Sequence, residues 1–280
     1  MRIIDTTSGD YDYTYLSLGA GVQSSALLVL SCTDDRIPKP DVAIFADTGD
    51  EPIWVYDYIK VLAEWASAYD VEIVTASSPK GRLSDWVLNR QNDGKHFVNV
   101  PVHTVDDTGT HGILRRQCTR EFKIAPITQK VRELLGYEPR QRVKETVRAM
   151  LGISFDEVSR MKESWFHWVT NCFPLVDFGI KRQDCIKIVT DAGLPEPQKS
   201  ACVYCPYHSD AYWQWMKLTH PTEFNKAVEF DESIRNMTMK GTAQPGYVHR
   251  SCVPLKEAVF SATDPLQLDM LGECEGMCGV

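Results

Sequence analysis

Nine cysteines punctuate the chain, at 32, 118, 172, 185, 202, 205, 252, 274 and 278. Cys202 and Cys205 form a C-x-x-C run followed by Pro206, a spacing that lets two thiolates of one turn face the same metal. Cys118 lies in the stretch RRQCTREFKIAP, where the surrounding Arg and Lys favour the thiolate. Cys274 and Cys278 close the chain in ECEGMC. In a reducing compartment such clustering points to metal ligation before disulfides. Cys32, Cys172 and Cys185 sit in apolar or helical stretches and read as buried core thiols. Cys252, in HRSCVPL, is undecided on sequence alone.

A second chemical signal is Ser17-Leu18-Gly19-Ala20-Gly21-Val22-Gln23-Ser24-Ser25, set between a strand-like and a helix-like segment. Glycines let the backbone turn sharply and bring its N–H groups close to an anion. The helix that follows offers unsatisfied N–H groups and a positive dipole end, a ready site for phosphate. Ser24 and Ser25 fall in its first turn, where hydroxyls reach a phosphate oxygen. A tight turn with no ligand would use the same residues. The segment is neither a GxxxxGK[ST] loop nor a clean GxGxxG. The next apolar run ends in Asp47-Thr48-Gly49-Asp50-Glu51. Ligands bind beyond the C-terminal ends of strands in open parallel sheets, which would set Asp47, Thr48 and Glu51 beside the first loop.

The elements that must position these groups alternate. Tyr13–Leu18, Asp41–Ala46 and Val71–Ala76 have the length and apolarity of buried strands, and Val22–Ser31 and Ile53–Tyr69 have helical spacing. That alternation predicts a parallel sheet with helices on its faces. Residues 89–110 read as a polar loop with one short strand, HFVNVPVH. Phe122–Leu135, Arg142–Leu151 and Phe155–Lys162 read as helices, as does Arg182–Ala192, stopped by Gly193 and Pro195. Two Trp- and Tyr-bearing helices follow, Asp210–Thr219 and Thr222–Asn236, then a loop at Gly241–Gly246 and an acidic tail from Ala262. The expected organisation is an α/β nucleotide-binding domain over 1–165 and a mostly helical, cysteine-bearing region over 166–280 packed on it.

Of the 280 residues, 43% are hydrophobic and 24% charged, an ordinary globular balance with no window of membrane-span length. The start, MRIIDTTSGDYDYTY, lacks the basic and apolar regions of a signal peptide, so the expected location is cytoplasmic, with no membrane partner. The formal charge of −8 argues against a free-standing nucleic-acid binder, which is usually basic. A nucleic-acid substrate would need a local basic surface or a partner protein.

SLGAGVQSS between strand and helix, followed by FADTGDE, resembles the PP-loop ATP pyrophosphatases, and more narrowly their phosphoadenylylsulfate (PAPS) reductase-like branch. The resemblance implies an adenine nucleotide alpha hydrolase-like core. It implies phosphate contacts from Gly19, Ala20, Gly21, Ser24 and Ser25, with Ser17, Gln23, Asp47, Thr48 and Gly49 around the nucleotide. Gln23 stands where the family usually has Asp, and Val22 where Lys is frequent. LGISFDEVSR is similar to the family's G-x-x-x-x-E-x-x-R stretch and adds Glu157 and Arg160, which at i, i+3 would equally suit a surface ion pair. Phe173-Pro174-Leu175 with Arg182, and Pro197-Gln198-Lys199-Ser200, also match this branch.

Cys118 before Thr119, with C-x-x-C-P far downstream, resembles the iron–sulfur members of the branch. The implied cofactors are ATP with Mg²⁺ and a 4Fe–4S cluster, with Zn²⁺ as the alternative. The implied metal ligands are Cys118, Cys202 and Cys205, with Cys278 or Cys274 as fourth, or three ligands and an open iron. The implied reaction is adenylation of a substrate oxygen followed by sulfur transfer to a nucleic acid. Cys278 would carry sulfur as a persulfide, and Arg120 and Lys123, with Arg115 and Arg116, would line the path of an anionic substrate. A solvated helix start accounts for those basic residues equally well. A cysteine desulfurase or other sulfur donor, and a homodimer, complete the expected partners. Two alternatives stay open. One is an assimilatory PAPS or adenylylsulfate reductase, although those end in E-C-G-[LI]-H and this chain has no His there. The other is a non-catalytic, metal-stapled module stacking bases on Tyr204, Tyr207, Tyr212, Trp213 and Trp215.

Overall fold

The computed structural model describes residues 4–89, 100–235, 237 and 244–261. The chain opens with β1 (Tyr13–Leu18), α1 (Val22–Thr33), β2 (Val42–Asp47), α2 (Ile53–Ser67), β3 (Glu72–Ser77) and α3 (Leu83–Asn89). A small antiparallel pair follows, β4 (His103–Val105) and β5 (His111–Ile113). A π-helical turn at Arg120–Ile124 runs into α4 (Ala125–Leu134), then β6 (Val147–Leu151), a 3-10 segment at Phe155–Arg160 and β7 (Val169–Cys172). The helices α5 (Pro174–Asp177), α6 (Arg182–Asp191), α7 (Asp210–Thr219) and α8 (Pro221–Arg235) complete the described elements.

The main sheet is parallel throughout, in the order β3-β2-β1-β6-β7. Its three central strands carry apolar side chains to both faces, as strands covered on two sides must. Leu16, Leu18, Ala43, Phe45 and Met150 face α1, α2 and α6, whereas Tyr15, Ile44, Ala149 and Leu151 face α4 through Ile127 and Val131. Helix α1 is buried on nearly every side because α6 packs over it on the sheet. In α2, Val55, Tyr58, Leu62 and Ala66 give a single inward stripe. A separate apolar cluster holds the C-terminal helices together around the fully enclosed Trp213, with Met216, Phe224, Phe230 and Ile234.

Two sequence expectations are corrected here. The helix expected over Arg142–Leu151 is instead the strand β6, hydrogen-bonded to β1 along its whole length. A short apolar run has no period of its own, and strand pairing decides it. The helix expected at Phe155–Lys162 is instead two short 3-10 turns over Phe155–Arg160, broken by a non-helical backbone at Glu157. The strand expected in HFVNVPVH falls largely outside the described residues; the strand seen starts at His103. The domain boundary expected at 165 falls between β6 and β7 of one sheet. Among the described residues no helix is long and apolar enough to cross a membrane.

Candidate active site

Strand β1 pairs with β2 on one side and β6 on the other, so successive connections leave it in opposite directions. The crevice at such a switch point is where open parallel sheets hold ligands. The loop Gly19–Gly21 lies there. Ala20 adopts a left-handed backbone with φ +60°, and Gly21 caps α1 with no side-chain hydrogen bond. The first-turn N–H groups of α1 are therefore left to whatever enters the crevice. Ser24 turns inward: its hydroxyl accepts from Gly19 N (3.2 Å) and donates to the Gly21 carbonyl (3.3 Å). The hydroxyl of Ser17 is buried without a hydrogen-bond partner, and Ser25 is fully enclosed beside Tyr58. Gly152, at the end of β6, presses on this loop so closely that a Cβ there would lie 2.7 Å from Ser24 N.

Beside the loop, Gln23 joins two charges. Its Nε2 donates to Glu157 Oε2 (3.0 Å) and its Oε1 accepts from Arg182 Nη1 (3.0 Å). Glu157 also takes Arg160 Nη1 at 2.5 Å. The structure thus brings Gln23, Glu157 and Arg160 together. An aspartate at 23 could accept from Arg182 but would repel Glu157; an amide does both jobs because it donates and accepts. Arg182 belongs to this network, and Phe173-Pro174-Leu175 with Arg182 was its only sequence signal.

The end of β2 supplies the opposite wall. Asp47 accepts from Gly49 N (2.7 Å) and from the Tyr56 hydroxyl (2.8 Å). Gly49 has φ +77°, and a Cβ on it would lie 2.9 Å from Arg82 Cγ. Asp50, which the motif reading did not single out, is an anchor. Its carboxylate accepts from Arg82 Nε (2.5 Å), Ser84 N (2.7 Å), Ser84 Oγ (2.8 Å) and the Tyr204 hydroxyl (2.6 Å). Glu51 is enclosed and paired with Lys123 Nζ at 3.2 Å.

The C-x-x-C segment is fastened across these loops. Ser200 Oγ donates to the Gly19 carbonyl, Cys202 Sγ lies 3.2 Å from Thr48 Oγ1, and Val203 N donates to the Asp50 carbonyl at 2.9 Å. Cys202 Sγ also approaches Glu51 Oε1 at 3.9 Å. Cys118, Cys202 and Cys205 border one cavity together with Thr48, Lys123 and Arg116. Three thiols around one void suit a multinuclear thiolate-held group. Among the described residues no three Cys, His, Asp or Glu side chains are grouped closely enough to hold a metal ion. Arg116 lies over the Tyr207 ring, 5.3 Å from its centroid. Arg120 does not line this cavity: it is exposed and lies 5.0 Å above Trp165. The π-helical turn aims Lys123 inward and Arg120 outward. Cys274 and Cys278 lie outside the described residues.

Buried aromatic groups hold the cysteine turn. His208 Nε2 donates to the Cys202 carbonyl (3.0 Å), and its ring stacks on Tyr212. Burial holds that imidazole well below its ordinary value, so it is neutral. The Tyr204 hydroxyl is pushed well up by burial beside Asp50, and its ring stacks on Phe230 at 3.6 Å. Tyr204 and Trp213 are enclosed. They cannot stack on bases, which removes two platforms of the non-catalytic module. Cys172 and Cys185 are buried core thiols and Cys32 packs half-buried against the core.

No family model matches the chain, and no curated protein matches it. Among solved structures, the chain is similar to the U34-tRNA thiolase NcsA from Methanococcus maripaludis with its 4Fe–4S cluster, with a TM-score of 0.41 and 14% identity over 81% of this chain and 74% of that one. At that level the likeness bears on neither substrate nor activity.

Proposed function

We propose that the chain is a PP-loop ATP pyrophosphatase of the PAPS reductase-like kind that adenylates an oxygen of a nucleic-acid substrate with release of pyrophosphate, after which a sulfur nucleophile displaces that oxygen, which leaves with AMP. The observation that supports this is the fastening of a three-thiol cavity directly onto the loop at the β1 switch point, through Ser200–Gly19 and Cys202–Thr48. A nucleotide loop and a thiolate site that merely coexisted would not need to share contacts.

In this reading the N–H groups of the first turn of α1 receive the phosphates, aided by the positive end of the helix. Gly19, Ala20 and Gly21 shape the turn, and Ser17, Ser24 and Ser25 line it. Gln23, held by Glu157 and Arg182, keeps the loop in register, and Arg160 adds positive charge to the crevice. Asp47, Thr48 and Gly49 form the far wall. Lys123, balanced at rest by Glu51, is a buried cation of the thiol cavity and would meet negative charge brought there by the substrate. Cys118, Cys202 and Cys205 would hold a 4Fe–4S cluster, which supplies an iron with affinity for sulfur. The remaining ligand or the sulfur carrier falls to Cys274 or Cys278 in the tail. Arg116, at the cavity beside Tyr207, would meet an anionic acceptor.

Anaerobic purification with iron and sulfide counted per chain, together with pyrophosphate release from ATP, tests the reading. Cysteine-dependent iron and sulfide plus pyrophosphate release is the expected result. Sulfite release from PAPS without ATP cleavage would instead assign the reductase activity. Absence of any affinity for ATP or adenylyl compounds would end both.

A further inference from the structure

The segment Val248–Cys252 folds back on the start of α7 and forms a constellation that the site above does not use. Asp210 and His249 are both buried, at 4% and 3% exposure. His249 Nε2 lies 3.1 Å from Asp210 Oδ1, and His249 Nδ1 lies 2.7 Å from Ser251 Oγ. A carboxylate can only accept, so Nε2 carries the proton and the lone pair of Nδ1 points at the Ser251 hydroxyl. The Ser251 N–H also approaches Nδ1, at 3.3 Å, which fits an acceptor there. The other Asp210 oxygen is held by Ser261 N (3.0 Å) and by Arg250 Nη2 (3.3 Å), so the carboxylate is oriented and charge-balanced. Burial lowers the basicity of His249 below the ordinary imidazole value, against the opposing pull of Asp210. Ser251 itself is exposed, and so is Arg250.

A nucleophile within hydrogen-bond reach of a base, with the base oriented by a third group, is the signature of covalent catalysis whatever the chain order. We propose that Ser251, His249 and Asp210 form a second catalytic site, a serine nucleophile for carboxylic esters. Ser251 Oγ attacks the carbonyl carbon as its proton passes to His249 Nδ1. The carbonyl–alkoxy bond breaks, the leaving alcohol takes that proton, and an acyl-serine remains. Water repeats the sequence and releases the acid. The site shares no residue with the thiol cavity or the β1 loop, so its test is independent of the function proposed above.

The full-length chain is treated with a fluorophosphonate probe, folded and urea-denatured, and the adduct is located by peptide mass spectrometry. The expected result is a single adduct at Ser251 in the folded chain, none in the denatured chain, and none in Ser251→Ala. Labelling should slow about 100-fold or more in His249→Gln and in Asp210→Asn, as loss of a positioned base predicts, with near-UV circular dichroism reporting the fold of each. If His249→Gln does not fold, the folded-against-denatured comparison on the unaltered chain decides. No adduct at Ser251, an adduct on another residue alone, or equal labelling of folded and denatured chain would overturn the proposal.

Discussion

Lys123 and Glu51 have side chains only 4% and 0% exposed and lie 3.2 Å apart; Lys123 lines the thiol cavity and Glu51 lies 3.9 Å from Cys202 Sγ. Breaking such a pair leaves one charge buried without its opposite, which costs about 3–5 kcal/mol. Lys123→Ala should therefore lower the urea midpoint far more than the double change Lys123→Met with Glu51→Gln, which removes both charges. At Gly152, an added methyl would meet the backbone of Ser24 at 2.7 and 2.8 Å. Gly152→Ala should cost about 1–3 kcal/mol, and it should weaken nucleotide binding more than any nearby surface change, measurable by titration calorimetry. Three imidazoles, His103, His208 and His249, are held below their ordinary values by burial. The unfolded chain binds protons on these groups at about pH 6.5 and below, where the folded chain still resists them. Their contribution to stability is thus whole above that value and is lost as pH falls through the folded-state values. Urea melts between mildly acidic and neutral pH should show stability rising with pH; a flat profile would contradict the burial of these rings.

At the scale of elements, the turn carrying Cys202 and Cys205 is held by side chains from three directions: Ser200, Tyr204 and His208. Tyr204→Phe removes a hydrogen bond to a buried carboxylate, worth about 1.5–3 kcal/mol. The expected outcome is a matching fall in stability and faster reaction of the C-x-x-C thiols with a disulfide reagent. The strand–loop–helix at residues 13–33 and the DTGDE turn were legible beforehand because glycine punctuation and long apolar runs are local signals. The union of Cys118 with Cys202 and Cys205 was legible only as residue type, and their shared cavity needed the fold. Asp50 was not singled out because an aspartate after a strand looks like any turn residue; its four donors come from residues 82, 84 and 204. β6 was misread because VRAML carries no period that separates strand from helix, and only its pairing with β1 and β7 explains it. Arg120 and Lys123 looked alike in sequence, and a π-turn sent them to different surroundings.

Across the whole molecule, the sheet is not finished by residue 165. β7 supplies its last described strand, and α6 covers α1. A chain ended at 165 would leave the β6 edge unpaired and the apolar side of α1 in water. It should aggregate, or bind a hydrophobic dye while lacking near-UV dichroism, rather than behave as a free nucleotide-binding unit. A soluble, cooperatively melting 1–165 fragment would contradict that.

The straps between the C-x-x-C turn and the strand-end loops have a thermodynamic corollary. Any occupant that draws Cys202 toward itself also tugs Thr48, and through Ser200 the carbonyl of Gly19. Whatever factor a guest at one end imposes on affinity at the other must be returned in equal measure. Titrating either one with the other present and absent would yield a single number, readable from both sides.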